Sequence, residues 1–285
     1  MERLEHITSL GEYIQSLHHA NASIAFVPTM GNLHEGHLSL VQKAKTLADK
    51  VVVSIYVNPL QFGKNEDFSQ YPRTLDADVN ALLEEGVDAL FLPSNEMIYP
   101  RKPENTTFVE VPGLSNILCG EFRPDHFRGV ATVVCKLLNL VRPDFLLLGE
   151  KDFQQVMVIR RMVEDLNMSV SIVSGETVRE ADGLAKSSRN QYLDAVSREK
   201  APLLYQTLQQ AVDRFWQGDP LADIEAFAQQ YLNNNGFRCQ YFEFRDARTL
   251  EKPNSLSLLL VLVAAAYLGN TRLIDNIQIS RNPEV

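Results

Sequence analysis

The sequence predicts an α/β fold in which a doubly wound parallel β-sheet domain is followed by a smaller C-terminal α+β domain. Up to about residue 175, short apolar and β-branched runs alternate with segments whose apolar residues recur at helical spacing. The strand runs are apolar almost throughout, which is typical of a parallel sheet covered by helices on both faces. Beyond about residue 178, two helical patterns precede three strand patterns, which indicates an α+β domain.

The first predicted elements form a β-α-β unit. An apolar run at 24–27 predicts a strand that ends at Pro28, and apolar residues at helical spacing predict a helix at 37–49. The β-branched run VVVSIYV at 51–57 predicts the next strand, which stops at Asn58. Since a helix joins them, the two strands are expected to lie parallel in one sheet.

The same alternation continues along the chain. Gly86 ends a helical pattern, and Pro93 ends the strand that follows it. In this part we predict helices at 76–85, 130–140 and 153–167, and strands at 89–92, 145–148 and 170–173. In the second domain we predict helices at 197–217 and 221–234, and strands at 240–244, 256–268 and 272–277. Residues 176–189 connect the two parts, so the predicted domains are 1–178 and 179–285.

Composition disfavours several classes of function. The formal net charge of −9 argues against a broad surface for nucleic acid or an anionic membrane, but it allows a local basic pocket. The longest apolar run, 258–268, is much shorter than the about 20 residues of a membrane span. The first residues do not have the pattern of a secretory signal. Cys119, Cys135 and Cys239 show no disulfide or metal spacing, so we expect reduced thiols in a cytoplasmic protein.

The strongest chemical signal is VPTMGNLHEGH at 27–37, between a predicted strand and a predicted helix. Ligands of parallel sheets bind beyond the carboxyl ends of the strands, and helix starts offer free N–H groups to phosphate. Gly36 permits close approach of the backbone, and His34 and His37 face one ligand if the first helical turn includes both. Imidazole N–H groups then donate to phosphate oxygens. The alternatives are two solvent-exposed histidines, or a zinc site with only two local ligands.

Two further segments suit a nucleotide. In LLLGEKDFQQ at 146–155, Lys151 can reach phosphates and Asp152 can accept from ribose hydroxyls. A solvated lysine and a helix-capping aspartate are the alternative there. The loop DGLAKSSRN at 182–190 combines two hydroxyls with a guanidinium, which binds phosphate through paired hydrogen bonds. The alternative for this loop is an ordinary exposed connection.

Two segments suit a small organic acid. Asn58 and Gln61 are neutral hydrogen-bonding residues after a central strand, as expected for a hydroxylated acid, although Asn58 also suits a simple turn. Arg123 and His126 come just before the predicted helix at 130–140. There they either fix an anion or form a cluster of surface ion pairs.

Together these motifs resemble the pantoate–β-alanine ligase family over nearly the whole chain. The resemblance is carried by VPTMGNLHEGH, VNPLQF with YPRT, HFRGV, GEKDFQQ, DGLAKSSRN, FRDARTL and VAAAYLGNTRLIDN. The His-x-Gly-His element alone indicates only the nucleotidylyltransferase superfamily. The resemblance implies a Rossmann-type domain and a smaller domain that closes over the nucleotide. It also implies ATP-dependent condensation of (R)-pantoate with β-alanine through pantoyl adenylate, with Mg²⁺, in a cytoplasmic homodimer; the products are pantothenate, AMP and diphosphate.

The same resemblance implies roles for individual residues. The implied catalytic residues are His37, His34, Lys151 and Arg189. The residues implied to bind ATP are Met30, Gly31, Asn32, Leu33, His34, Glu35, Gly36, His37, Gly149, Glu150, Lys151, Asp152, Val178 (through its backbone), Lys186, Ser187, Ser188 and Arg189. Those implied to bind pantoate or β-alanine are Gln61, Gln155, Asn58, Pro28, Thr29, Arg123 and His126.

Two questions stay open at individual positions. Lys186 stands where many members of the family have Leu or Met, and it either contacts phosphate or points to solvent. Asp76 and Asp78 are candidate metal ligands, although ATP itself supplies most ligands of a bound Mg²⁺.

Three rival functions are weighed against this one. Nucleotidyl transfer to a phosphorylated acceptor needs cations, where this chain has the neutral Gln61 and Gln155. A nucleotide-binding regulator without turnover does not need the histidines and cations of the three nucleotide motifs. A tRNA-charging role conflicts with the net charge of −9 and with the lack of an extra domain of suitable size.

Overall fold

The computed structural model describes residues 1–63, 66–102 and 105–281. The chain divides into two compact units: residues 1–150 with 158–176, and residues 151–157 with those from 177 onward. The predicted domain boundary after Val178 stays a prediction, because compactness does not show which part folds independently.

A six-stranded parallel sheet forms the centre of the first unit, in the order β1-β4-β3-β2-β5-β6. Its strands are β1 Glu2–Leu4, β2 Ile24–Thr29, β3 Lys50–Ile55, β4 Ala89–Phe91, β5 Phe145–Gly149 and β6 Ser171–Gly175. From β2 the chain moves outward to β3 and β4, and it later returns to place β5 on the other side of β2. The switch point between β2 and β5 is where sheets of this kind bind their ligands.

Helices cover both faces of this sheet, as predicted. They are α1 Ile7–His19, α2 Glu35–Lys45, α3 Leu75–Glu84, α4 Asn95–Ile98, α5 Cys119–Phe122, α6 His126–Val141 and α7 Phe153–Asp165, whose first residues belong to the second unit. On one face, Val27 and Val53 pack with Val41 of α2 and Leu82 of α3 in one buried cluster. Phe26 alternates to the other face and is also fully buried.

Several predicted boundaries are wrong for identifiable reasons. Strand β2 continues through Pro28, because Thr29 O accepts from Tyr56 N on the β3 side and pairing with β5 ends at Phe26. The missing N–H of Pro28 therefore costs no ladder bond. Helix α2 ends at Lys45, short of residue 49, where the Thr46 hydroxyl bonds to Lys43 O and caps the end. Strand β1 and helix α1 were not predicted.

The second unit has a three-stranded antiparallel sheet in the order β7-β8-β9. Its elements are α8 Ala195–Lys200, α9 Leu203–Gln217, α10 Leu221–Asn234, β7 Phe237–Asp246, β8 Leu259–Leu268 and β9 Thr271–Ser280. The α+β prediction is confirmed, and Leu208, Ile224 and Phe242 lie in its buried core. The single helix predicted at 197–217 is wrong, because Pro202 cannot continue a helix and instead caps the start of α9. No helix among the described residues combines the length and apolarity needed to cross a membrane.

Candidate active site

A buried carboxylate holds the loop that carries the His-x-Gly-His motif. Asp78, in the first turn of α3, is only 3% exposed. Its Oδ2 accepts from the main-chain N–H of Asn32 and its Oδ1 from that of Leu33, both at 2.8 Å. Gly31 has a φ of +80°, and a Cβ there would lie 3.0 Å from Asp78 Oδ2. Asp78 and the left-handed glycine therefore fix the path of the loop after β2.

The end of β2 supports the same loop. Thr29 is buried; its hydroxyl donates to Ser54 O at 2.8 Å and accepts from Gly31 N at 3.2 Å. Pro28 pairs with Ser54 in the ladder. The hydroxyl of Thr29 thus links strand β3 to the motif loop. The predicted substrate contacts of Pro28 and Thr29 stay predictions.

The two imidazoles of the motif cap helix α2 reciprocally. His34 is the N-cap, and its Nδ1 accepts from Gly36 N at 3.1 Å. His37, three residues later, accepts from His34 N through its own Nδ1 at 3.3 Å. A main-chain N–H can only donate, so each neutral ring accepts at Nδ1 and carries its proton on Nε2. With ring centroids 4.1 Å apart, the motif presents two adjacent Nε2–H donors.

This arrangement corrects one expectation drawn from the sequence. The helix start was expected to offer free main-chain N–H groups to a ligand. Instead, side chains bind the N–H groups of His34 and Gly36 at the helix start, and Asp78 binds those of Asn32 and Leu33 in the loop before it. The reason is that N-capping side chains satisfy the same donors that an anion would use. The capping bonds use the Nδ1 atoms of the two imidazoles and not their Nε2–H groups, while Glu35 is exposed in the first turn.

Gln61 lies beside the motif at the end of a short 3₁₀ turn, Pro59–Gln61. Asn58 caps this turn, and its Nδ2 donates to Gln61 Oε1 at 3.0 Å. Gln61 Nε2 lies 3.0 Å from the Sδ of Met30. The structure therefore brings a predicted substrate residue together with a predicted ATP residue. Asn58 is only 1% exposed, which favours a supporting role, and its predicted contact with substrate stays a prediction.

Helix α6 packs closely against the turn that carries Gln61. A Cβ on Gly129 would lie 2.2 Å from Leu60 O and 2.8 Å from Gln61 N, so any side chain there would displace the turn. The helix was predicted to begin at residue 130, and this is wrong: Gly129 lies inside α6, which begins at His126. A glycine usually weakens a helix, but here the close approach of another backbone requires it.

Arg123 and His126 hold the main chain of Gln61. His126 Nδ1 lies 2.7 Å from Gln61 O, and Arg123 Nη1 lies 3.0 Å from His126 Nε2. Because a guanidinium only donates, His126 accepts at Nε2 and donates from Nδ1 to Gln61 O. Arg123 Nη2 also donates to Gln61 O, at 3.3 Å.

An ion pair with Glu66 neutralises the charge of Arg123. Arg123 binds Glu66 through two hydrogen bonds, Nε to Oε1 at 2.7 Å and Nη2 to Oε2 at 2.6 Å. Burial alone would raise the pKa of Glu66, but the bonds and charge of Arg123 outweigh it and hold that pKa below the usual value. Of the two alternatives at Arg123 and His126, the ion-pair cluster is present, and the predicted anion contact stays a prediction.

Gly149 and Glu150, which are also predicted to bind ATP, lie at the end of β5 in the first unit. Gly149 pairs with Gly175 of β6, and a Cβ there would meet no described atom within 4 Å. Glu150 Oε1 accepts from the Ser174 hydroxyl at 2.7 Å. The backbone at Gly149 thus has open space beside it, which suits the predicted approach of ATP.

Lys151 and Asp152 continue from Glu150 as a 3₁₀ turn that leads into α7. Within the second unit, Asn276 Nδ2 donates to Lys151 O at 3.1 Å and so fixes the backbone at this lysine. Asp152 is exposed and Gln155 is half-buried. Both side chains are therefore accessible, as their predicted roles require.

Residues 178–186 of the second unit form a small hairpin. Lys186 N donates to Val178 O at 2.9 Å, and Glu180 N donates to Leu184 O at 2.8 Å. Gly183 turns the chain with a φ of +93°. The carbonyl of Val178 thus accepts from Lys186 N, and the predicted backbone contact of Val178 with ATP stays a prediction.

A buried ion pair fastens this hairpin to β9. Arg179 binds Asp275 through Nη1 to Oδ2 at 2.6 Å and Nη2 to Oδ1 at 2.9 Å, and its Nη1 also donates to Gly183 O at 3.1 Å. The guanidinium lies 3.5 Å from the centroid of the Tyr205 ring. Asp275 precedes Asn276, so neighbouring residues of β9 hold the hairpin and the backbone of Lys151.

Two of the predicted ATP segments meet in the second unit. Lys151 and Ser187 line one pocket together with Asn190, Arg272 and Asp275. The hydroxyl of Ser187 accepts from Arg189 N at 3.3 Å and caps the 3₁₀ turn Ser188–Tyr192. Ser188 and Arg189 are half-buried in that turn.

Of the two alternatives left open for Lys186, free exposure to solvent is wrong, and the phosphate contact stays a prediction. Its ammonium lies 3.3 Å from Glu180 Oε2, and the side chain is largely buried. It is therefore held in an ion pair across the hairpin instead of pointing freely to solvent.

The candidate metal ligands differ in their surroundings. Within the described ranges, no group of three or more His, Cys, Asp or Glu side chains is arranged to hold a metal ion. Asp78 uses both oxygens to hold the motif loop, whereas Asp76 is exposed in the first turn of α3. A nucleotide-bound Mg²⁺ requires only one or two carboxylates, so Asp76 is the candidate that fits.

Sequence reasoning missed several residues that shape the site. They are Glu66, Tyr99, Gly129, Arg179 and Asp275. Each acts on a partner far along the chain, so local spacing carries no signal for them. Gly129 lies shortly after Arg123 and His126, which the sequence pattern singled out, whereas Asp275 lies inside VAAAYLGNTRLIDN, which only the family resemblance singled out.

A parallel α/β unit whose two imidazoles cap the helix beside its switch point agrees with the class that the His-x-Gly-His element indicates, the nucleotidylyltransferases. The family model for pantoate-β-alanine ligase matches residues 2–278. The chain therefore belongs to the pantoate–β-alanine ligase family, an enzyme family that uses ATP to join pantoate to β-alanine.

Individual relatives agree with this assignment. The chain is 55% identical to a pantothenate synthetase of Methylococcus capsulatus, covering 92% of each chain, and 48% identical to one of Shewanella loihica, covering 99% of this chain and all of the relative. It matches the crystal structure of a pantothenate synthetase from Thermus thermophilus with a TM-score of 0.90 at 41% identity, covering 97% and 99% of the two chains. It also matches a Francisella tularensis pantoate-β-alanine ligase, complexed with "beta-gamma ATP" and β-alanine, with a TM-score of 0.82 at 37% identity, covering 97% of each chain.

Proposed function

We propose that the reaction proceeds in two steps through pantoyl adenylate, with His34 and His37 as neutral Nε2–H donors to the phosphates. The observation that carries the proposal is the reciprocal capping of α2, in which main-chain N–H groups occupy both Nδ1 atoms. Rings held in this way need no reorganisation when charge develops on a phosphate, which is the condition for electrostatic stabilisation of a transition state.

In the first step, a carboxylate oxygen of (R)-pantoate attacks the α-phosphorus of ATP, and diphosphate leaves. Negative charge grows on the phosphate oxygens, so catalysis consists of positioning and charge stabilisation. His34 and His37 serve the first unit in this task. Lys151, Arg189 and the hydroxyls of the Ser187–Ser188 pair are the corresponding cations and donors of the second unit.

Gln61 and Gln155 are proposed to bind pantoate through neutral amides. A hydroxylated acid offers both donors and acceptors, which a side-chain amide matches without a net charge. At Gln61 the backbone is held by His126 and the side chain by Asn58, so its amide is presented in a fixed orientation.

In the second step, the free amine of β-alanine attacks the acyl carbon of pantoyl adenylate. The C–N bond forms, the acyl–oxygen bond to AMP breaks, AMP leaves, and the nitrogen loses a proton to solvent. The mixed anhydride is already a good acyl donor, so the reaction needs no protein nucleophile.

Mg²⁺ is proposed to enter with ATP. When bound, it neutralises part of the phosphate charge. The exposed carboxylate of Asp76 fits such an ion as a single ligand, whereas Asp78 is engaged with the motif loop. Asp76→Asn should therefore raise the Mg²⁺ concentration needed for half-maximal activity without disturbing the loop.

A phosphorylated acceptor is the rival that this geometry disfavours. Such an acceptor needs uncompensated cations beside Gln61. Arg123, the cation bound to the main chain of Gln61, is already neutralised by Glu66.

The family resemblance supports two further proposals, a homodimer and a cytoplasmic location. The acidic balance of the chain, with 36 Asp and Glu against 27 Lys and Arg, supports small-molecule substrates over nucleic acid.

The test is to incubate the protein with ATP, Mg²⁺ and (R)-pantoate, with and without β-alanine, and to follow products by mass spectrometry. We expect pantothenate, AMP and diphosphate only in the full mixture, and pantoyl adenylate when β-alanine is withheld. Formation of pantothenate with ADP and phosphate, or its formation without any adenylate under single-turnover conditions, would contradict the two-step route.

A further inference from the structure

Asn58 is a buried amide whose hydrogen-bonding capacity is fully used. Its Nδ2 donates to Gly129 O at 3.1 Å and to Gln61 Oε1 at 3.0 Å. Its Oδ1 accepts from Leu60 N at 3.3 Å and from the Tyr99 hydroxyl at 2.9 Å. A side-chain amide has two N–H groups and two lone pairs on oxygen, so all four positions are occupied by the protein.

Backbone groups fix which end of this amide is nitrogen. Gly129 O can only accept, so the nitrogen must face it, and Leu60 N can only donate, so the oxygen must face it. The atom of Gln61 next to the Asn58 nitrogen must then be its acceptor, Oε1. Gln61 Nε2 is consequently turned to the side of Met30.

The orientation of Gln61 decides what it can recognise. Asn58 takes one lone pair of Oε1, and one N–H of Gln61 faces Met30 Sδ. The second N–H is then fixed as a donor toward an acceptor on the ligand, such as a carboxylate or hydroxyl oxygen of the acid substrate.

Tyr99 supplies the second donor to the oxygen of Asn58. It follows helix α4 and is 8% exposed, and burial raises the pKa of its hydroxyl, which therefore stays protonated and donates. Its partner Asn58 is 41 residues away in sequence. A lysine of α6, Lys136, lies with its ammonium 5.8 Å from the centroid of the Tyr99 ring. The Tyr99 ring thus lies near α6, and the same helix accepts a hydrogen bond from Asn58 through Gly129 O.

We propose that Tyr99 is a positioning residue for the ligase reaction, which orients Gln61 toward the acid substrate through Asn58. The inference rests on the proposed role of Gln61 in binding pantoate. Without the phenol hydroxyl, Asn58 keeps only Leu60 N as a donor to its oxygen, and the amide pair is less firmly oriented.

The chain offers a matched control in Tyr56. This tyrosine is 7% exposed, and its hydroxyl donates to Asn95 Oδ1 at 2.9 Å, so it is as buried and as well bonded as Tyr99. Its hydrogen bond leads to α4 and not to Asn58. Tyr99→Phe and Tyr56→Phe therefore each remove one buried hydroxyl, but only the first removes a hydrogen bond to Asn58.

The experiment compares steady-state kinetics of the full chain carrying Tyr99→Phe, Tyr56→Phe or Gln61→Ala, with KM determined separately for pantoate and ATP. We expect Tyr99→Phe to raise KM for pantoate about three- to tenfold, the range of one lost hydrogen bond, and to change KM for ATP less than about twofold. Tyr56→Phe should change both values less than about twofold. In a Gln61→Ala background, Tyr99→Phe should cause no further rise in KM for pantoate, because its effect passes through Gln61.

Equal effects of the two tyrosine variants on KM for pantoate would overturn the proposal, as would an effect of Tyr99→Phe that persists fully in the Gln61→Ala background. A Tyr99→Phe chain that fails to fold while Tyr56→Phe folds, judged by melting temperature, would also overturn it. If Gln61→Ala itself leaves KM for pantoate unchanged, the proposed role of Gln61 fails, and the inference fails with it. A rise with Gln61→Ala but not with Tyr99→Phe contradicts the inference alone.

Discussion

The two loops that are predicted to bind ATP, 30–37 in the first unit and 178–189 in the second, are held by different contacts. Both depend on a buried aspartate, Asp78 in one and Asp275 in the other. Asp78 accepts from main-chain N–H groups of its loop, whereas Asp275 forms an ion pair with Arg179. A carboxylate bonded to main-chain amides leaves no charge behind when it is neutralised, but an ion pair leaves its cation. Substitution of the aspartate by asparagine should therefore lower the free energy of unfolding by different amounts in the two units.

The largest effect is expected where a charge loses its partner. Asp275→Asn removes the carboxylate that binds both Nη atoms of Arg179, and the guanidinium stays in place beneath the hairpin. Breaking a buried pair in this way costs about 3–5 kcal/mol, and we expect a loss near the lower limit because Arg179 is partly exposed. Chemical denaturation measures the free energy of unfolding. Arg179→Met with Asp275→Leu, which removes both charges, is the control and should lose less than Asp275→Asn alone.

A smaller effect is expected at Asp78. In Asp78→Asn, one of the two main-chain N–H groups, of Asn32 or Leu33, faces an amide nitrogen instead of an oxygen. Loss of one charge-assisted bond costs about 1.5–3 kcal/mol. Because the loop carries His34 and His37, we also expect kcat to fall more than tenfold, measured as AMP release. Asp76→Asn, in the same helical turn, is the control and should leave stability unchanged. An equal loss of stability in Asp76→Asn would contradict the view that Asp78 acts through its bonds to the loop.

The first unit also contains an ion pair beside Gln61, between Arg123 and Glu66. The pKa of Glu66 is lowered in the folded state, so its stabilising contribution is present above the unfolded pKa and is lost as the pH falls through the folded pKa. We expect Glu66→Gln to lose about 1 kcal/mol at pH 7 and to approach the parent chain below about pH 4. Urea unfolding from pH 7 to pH 3 measures the difference. A difference that stays constant with pH would show that the contribution of Glu66 is not ionic.

The smallest effect is expected at Lys186. Its ion pair with Glu180 is partly exposed at the glutamate, so Lys186→Leu should cost less than about 1 kcal/mol. KM for ATP should change less than about threefold, since the ammonium is engaged within the hairpin. A tenfold rise in KM for ATP with unchanged stability would instead mean that Lys186 leaves Glu180 and contacts a phosphate.

The sequence predicted the parts of this account that depend on short-range pattern. The alternation of apolar runs predicted the parallel sheet, and the position of His34 and His37 between a strand and a helix predicted where the site lies. The contacts of Asp78 and Asp275 that hold the two loops could not be predicted from short-range pattern. Asp78 lies 46 residues from Asn32, and Asp275 lies 96 residues from Arg179, so only the folded chain brings them together.

Local rules failed where tertiary contact overrides them. The helix was predicted to begin at residue 130, yet Gly129 lies inside α6, where the Leu60 carbonyl comes too close for any side chain. The start of α2 was expected to offer free N–H groups. Instead, the imidazole of His34 accepts from Gly36 N, and that of His37 accepts from His34 N. In both cases the residue type was informative, but its structural task depended on a partner that spacing alone does not reveal.

The central claim is that the two imidazoles, and not the main-chain N–H groups around them, are the donors that the motif loop presents. The most direct measurement is the ¹⁵N chemical shift of the ring nitrogens in protein labelled at histidine, at a pH where the rings are neutral. The chain has six histidines, so spectra of His34→Gln and His37→Gln assign the two rings. We expect both to carry the proton on Nε2 with Nδ1 unprotonated. A protonated Nδ1 on either neutral ring would contradict the account.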